Sequence, residues 1–233
     1  MFKGRHGWTW RSRQGSAVLY FRGGNQPPGE VSVKSAGGLA WSGIASGEAA
    51  LVQRCVAGDE LASEELVLGH ERLVLSLATH LLGDREEALD LSQEVFLRVF
   101  RTLPNFRGHS SLRTWIFRIV VNQARNRQRW WRRRHRAGQV SLDEHIRAHG
   151  EAVLGANVST PERVLARKEL AARLHGALQQ LPFEQRTAIV LREIDGLSYD
   201  EIAFSLGLAV GTVKSRLTRA RQALRAELRD VKC

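Results

Sequence analysis

Cysteine is nearly absent: the 233 residues contain two, Cys55 and Cys233. Two such distant thiols make neither a metal-binding spacing nor a disulfide framework, so a reducing cytoplasm is expected and a bound metal is not. No apolar run reaches the length of a membrane span, and the basic N-terminus lacks the apolar core of a signal peptide, which points to a soluble protein. Lysine is also scarce, supplying five of the 35 basic residues. The rest are arginine, whose planar fork suits bidentate contacts to phosphate and guanine edges, although a GC-rich genome would produce the same bias. There is no metal-ligand cluster, nucleophile motif or phosphate-binding glycine loop. The eight histidines are scattered. Catalysis, a cofactor and a small-molecule substrate are therefore not expected.

What is present is positive charge and helical periodicity. A net charge of +11 calls for a polyanionic partner, and 43% hydrophobic residues leave room for two small cores. Residues 1–47 set Lys3, Arg5, Arg11, Arg13, Arg22 and Lys34 against one acid, Glu30, with no lasting period. They read as a mostly disordered basic tail. From residue 48 the pattern is helical, so the fold class expected is all-α: two small helical domains, 48–136 and 161–233, joined by a flexible linker over 137–160. In the first, Gly83 closes one helix and Asp84 caps the next at capping-box spacing from Glu87. Pro104 ends that helix, and "NFRGHSS" leads to a third near Leu112. The second opens at "STPER", where Ser159 or Thr160 can cap and Pro161 suits the first turn.

Within the C-terminal domain, Ser198 and Glu201 form a capping box, and Ile202, Ala203 and Leu206 give a short apolar face ending at Gly207. Val213, Leu217, Ala220 and Leu224 then recur at steps of four, three and four. The second helix buries that stripe and turns Thr212, Lys214, Ser215, Arg216, Thr218 and Arg219 outward. Short helix, glycine turn and basic helix in this order predict a helix-turn-helix with 211–221 as its recognition helix. Lys214, Arg216 and Arg219 could read bases or touch phosphates, and phosphate contact is the commoner role.

The N-terminal domain pairs an acidic helix with one that has no acid. "DREEALDLSQEVFLRVFRTL" carries Asp84, Glu86 and Glu87 where acids complement the helix dipole. Asp90 and Glu94 lie too far along for that. They share one face on a basic protein and would repel phosphate, so a basic protein surface is their better partner. After Glu94 no acid appears until Asp143, while twelve arginines do. In "SSLRTWIFRIVVNQARNRQRWWRRR", Leu112, Trp115, Ile116, Ile119, Val120 and Ala124 form a core stripe. Arg113, Arg118, Asn122, Arg125, Asn126 and Arg129 line the other face, with Phe106 on the preceding loop. That mixture of cation, amide and aromatic suits an unpaired strand. Stacking a base on an aromatic gives about 1–3 kcal/mol, comparable with the cost of extruding one. Trp130 and Trp131 are open between packing on the domain and lying against DNA.

Together, "ALDLSQEVFLRVFRTLPNFRGHSSLRTWIFRIVVNQARN" and "LPFEQRTAIVLREIDGLSYDEIAFSLGLAVGTVKSRLTRARQAL" resemble bacterial RNA polymerase sigma factors of the small extracytoplasmic-function (ECF) group. The resemblance covers about 48–229 and leaves 1–47 unexplained. It implies that residues 90–103 bind the polymerase's largest subunit, with Asp90, Gln93, Glu94 and Arg98 as core-enzyme contacts. It implies that loop 105–112 and Asn122 capture a flipped base of the minus-ten element. Residues 199–218, from Tyr199 to Thr218, would read the minus-thirty-five element. Core RNA polymerase, promoter DNA both duplex and unpaired on the non-template strand, and an anti-sigma factor are the implied partners. The alternative is a stand-alone helix-turn-helix regulator with a helical sensing domain, which would bind specific DNA without core enzyme and gives no reason for the acidic face at Asp90 and Glu94.

Overall fold

The structure, a computed structural model, describes residues 8–13, 16–21, 46–136 and 161–229. Two strands, β1 (Trp8–Arg13) and β2 (Ser16–Phe21), pair antiparallel with Trp8 opposite Phe21 and Arg13 opposite Ser16. They lie within the stretch read from sequence as a mostly disordered basic tail, the greater part of which lies outside the described residues. Aromatic and β-branched residues in "WTWRSR" and "SAVLYF" have strand propensity, and a hairpin needs no helical period to form. The expected flexible linker, 137–160, lies outside the described residues.

Four helices build the first domain: α1 (Ser46–Val56), α2 (Glu60–Leu82), α3 (Arg85–Thr102) and α4 (Leu112–Arg136). Their ends follow local chemistry. Asp59 caps α2 by accepting from the Ala62 amide at 3.1 Å, and Gly83, at φ 82°, ends it by donating to the Thr79 carbonyl. Asp84 caps α3 through the Glu87 amide at 2.9 Å. Pro104 sits in a 3₁₀ turn, Leu103–Asn105, that closes α3. The amide of Leu112 donates to the Glu48 carboxylate on α1 at 3.2 Å, so a residue far back in the chain caps α4. Helices α2, α3 and α4 pack on one another around Leu66, Leu77, Leu91, Val95, Phe96, Ile116 and Val120, all buried. Burying each such side chain contributes about 1.5–3 kcal/mol.

The second domain comprises α5 (Pro161–Gln180), α6 (Phe183–Ile189), a π-helical turn (Val190–Ile194), α7 (Tyr199–Leu206) and α8 (Val210–Glu227). The capping box at Ser198 and Glu201 is complete, and Gly207 adopts φ 65° to turn the chain between α7 and α8. Val213, Leu217 and Ala220 of α8 are buried as the four-three spacing requires, while Leu224 packs at the edge. Two helical domains are thus present. They are also in contact: α7 packs against α4, and α5 against α2. Among the described residues, no helix is long and apolar enough to cross a membrane.

Candidate functional site

Helix α3 presents an exposed acidic ridge. Asp90, Glu94 and Arg98 are solvent-exposed and Gln93 is half-buried, all on the side away from Leu91, Val95 and Val99. Glu94 is not alone there. Arg127 of α4 donates from Nη2 to Glu94 at 2.7 Å and from Nη1 to Glu87 at 2.6 Å, with its own side chain only 17% exposed. Because Glu87 turns to Arg127, the N-terminus of α3 has a one-sided Asp84 cap in place of a reciprocal box. Between α3 and α4 this leaves a cleft of about 390 Å³, lined by Glu87, Asp90, Glu94, Gln123, Asn126, Arg127, Trp130 and Trp131. Trp130 is 44% exposed and carries the Arg134 guanidinium 4.5 Å from its ring centroid. Such a cation over an aromatic face is attracted by the ring quadrupole.

On α4, Arg113, Arg118, Asn122 and Asn126 are exposed and Arg125 is half-buried. Phe106 is placed differently from its expected role as a base platform. It is 6% exposed and packs on Trp115, with ring centroids 5.0 Å apart, so it belongs to the core that anchors the loop. An aromatic after a helix end looks the same in sequence whether it points out or in. Phe117 and Val121 lie off the expected core stripe yet are fully buried, as is Thr114 at 1%. The α4 helix meets α7 as well as α2 and α3, and no single stripe could reveal two packed sides.

Three of the α4 arginines meet the second domain. Arg113 donates to the Asp195 carbonyl at 2.7 Å, and the Arg118 guanidinium sits 5.5 Å from the Phe204 ring. Arg125 donates from Nε and Nη2 to the two carboxylate oxygens of Glu184, at 3.1 and 3.4 Å. Sequence reading passed over Glu184 because an acid in the first turn of a helix looks like ordinary dipole complementation. Nearby, the Glu201 carboxylate is held below its usual range, first by the Ser198 amide, and accepts from the Thr114 hydroxyl at 3.2 Å. Burial pushes the Asp195 carboxyl up to about 7, with Arg113 pulling it back. Its Oδ2 is buried and has no hydrogen-bond partner among the described residues. Burial also lowers Arg186 to about 10, aided by Arg132, so that guanidinium stays charged.

Helix α8 is more open. Thr212, Lys214, Ser215, Thr218 and Arg219 are exposed. Ser215 and Thr218 spend their hydroxyls on the Thr212 and Lys214 carbonyls of their own helix. Arg216 is half-buried and donates to Glu184 at 2.5 Å. The recognition helix continues to Glu227, beyond the expected 211–221, with Arg221 paired to Glu193 at 2.7 Å.

The model of sigma-70 region 2 matches residues 66–137, and that of sigma-70 region 4 matches 171–224. The RNA polymerase sigma-H factor of Pseudomonas aeruginosa is 40% identical over 174 residues, covering 75% of this chain and 90% of that protein. The ECF RNA polymerase sigma-E factor of Escherichia coli is 37% identical over 174 residues with the same coverage. Among solved structures, the sigma factor RpoE bound to the anti-sigma factor NepR from Bartonella quintana superimposes with a TM-score of 0.56 at 25% identity, covering 72% of this chain and 97% of that one. CnrH in complex with the cytosolic domain of CnrY gives a TM-score of 0.56 at 26% identity, covering 79% and 99%.

Proposed function

The chain belongs to the RNA polymerase sigma factors of the ECF group, and from that membership we propose how its surfaces divide the work of initiation. The α3 ridge of Asp90, Gln93, Glu94 and Arg98 docks on core RNA polymerase. Thr212, Lys214, Ser215, Arg216 and Arg219 of α8 engage the duplex minus-thirty-five element, and Arg113, Arg118, Asn122, Arg125 and Asn126 of α4 hold the unpaired non-template strand at the minus-ten element. Melting costs about 1.4 kcal/mol per base-pair step, so captured bases nucleate opening while the polymerase supplies much of the rest. The chain contributes no covalent chemistry of its own. By likeness to the RpoE–NepR and CnrH–CnrY complexes, an anti-sigma factor is its regulatory partner in the cytoplasm.

The observation that carries this reading is the exposed acidic ridge of α3 beside an acid-free α4 in one small domain. A surface made only for DNA would not display Asp90 and Glu94, whereas a two-partner subunit needs both signs. Run-off transcription with purified core enzyme on genomic fragments tests it. Discrete start sites that depend on the added chain are expected. Core enzyme that initiates no differently with or without the chain would refute the proposal.

A further inference from the structure

The seam between the two domains touches part of the α4 face assigned above to the unpaired strand: Arg113, Arg118 and Arg125 meet the second domain, while Asn122 and Asn126 stay exposed. Besides the Arg113, Arg118 and Arg125 contacts, the buried Thr114 donates to Glu201 and its carbonyl accepts from the Ser205 hydroxyl at 3.3 Å. At the other end of the seam, Gln179 of α5 donates to the His80 carbonyl at 2.9 Å. A Cβ added at Gly83 would come within 2.7 Å of that Gln179 side chain, so the approach is close. Glu184 stands out in this set. One carboxylate is shared by Arg125, from the minus-ten face, and Arg216, from the recognition helix.

We propose that Glu184 is an intramolecular clasp: in the free chain its carboxylate occupies the guanidinium forks that promoter phosphates would take, and it holds the second domain closed over the α4 strand-binding face. The inference rests on the functional reading above and adds to it a closed resting state. The chemistry fits, because carboxylate and phosphate offer the same paired oxygens to an arginine fork. The strength fits as well. Glu184 is 39% exposed, and partly exposed pairs are individually weak, so the clasp is reversible and yields to a polyanion. A chain that binds only when open has its apparent affinity reduced by the open fraction.

The test uses the full chain without core enzyme and a mixed-sequence single-stranded DNA oligonucleotide. Glu184→Gln removes the shared acceptor. Glu184→Asp keeps the charge but shortens the reach, which guards against a pure charge effect. Glu193→Gln is the matched control, removing one acid from the same domain at a residue paired only with Arg221 among the described contacts. Both Glu184 variants should bind the oligonucleotide about 5–10-fold more tightly than wild type, a typical coupling between two conformations. Small-angle scattering should show a larger radius of gyration for both, while Glu193→Gln changes neither quantity. Tighter binding without expansion would reduce the effect to charge and defeat the clasp. Expansion without tighter binding would defeat the occlusion. Equal behaviour of the Glu184 and Glu193 variants would defeat both. None of these results depends on core enzyme, so they remain readable even if run-off transcription were to fail.

Discussion

The faces of α4 and α8 are built from the same material and end in different states. Each is an arginine-rich side of an amphipathic helix with an apolar stripe behind it. On α8, Lys214, Ser215 and Arg219 are exposed, while Arg216 is tied down by Glu184 and Arg221 by Glu193, both within the second domain. On α4, Arg113, Arg118 and Arg125 all touch the neighbouring domain. The basic face of α8 therefore stands largely apart from the first domain, whereas three arginines of the α4 face are engaged by the second domain while Asn122 and Asn126 stay exposed. Basic residues on a helix define a capacity for nucleic acid, and the neighbours of that helix set when the capacity can be used.

The contrast can be broken at several points. The largest effect should come from Phe106→Ala, which replaces a buried aromatic at the root of the loop between α3 and α4 and should cost about 3–5 kcal/mol in urea unfolding. Unchanged unfolding with a defect confined to promoter opening would return Phe106 to the DNA surface. Next, Asp90→Lys combined with Glu94→Lys should weaken core-enzyme binding on the order of 100-fold, since like charges set against one another cost several kcal/mol, while the circular-dichroism melt shows the fold retained. Continued co-purification with core would remove the ridge from the interface. Arg219→Ala, on the open face, should weaken promoter binding by the holoenzyme about tenfold and flatten the salt slope by about one if its contact is to phosphate. A footprint identical to wild type would exclude it from the reader.

A pH-dependent effect belongs to the seam. Burial raises the folded-state pKa of Asp195 to about 7, above its unfolded value. A group raised in this way stabilises the fold at low pH and loses that contribution as pH climbs toward 7. His80, lowered by burial, works in the opposite sense as pH falls, and comparing two variants at each pH cancels it. The stability of Asp195→Asn relative to wild type should therefore improve from pH 5 to pH 8 in thermal melts. A difference that stays flat would show that the carboxyl does not titrate in this range.

Much of this protein was legible before folding. The capping box at Ser198 and Glu201, the turn at Gly207 and the four-three-four stripe of α8 depend on contacts within a few residues, and local chemistry settles those. The same holds for the Asp84 cap on α3 and the stop at Pro104. The β1–β2 hairpin was missed because its signal is a short alternation inside a glycine-rich stretch, without the sustained period that marks the helices.

Sequence by itself determined two helical domains, a helix-turn-helix, an acidic ridge and an acid-free basic helix, because each is a matter of periodicity, capping or charge along one segment. Tertiary structure alone decided that Phe106 points inward, that Arg127 braces Glu87 and Glu94, and that Glu184 gathers arginines from two helices. Those outcomes join residues tens of positions apart, and which side chains meet across such distances is fixed only when whole helices pack.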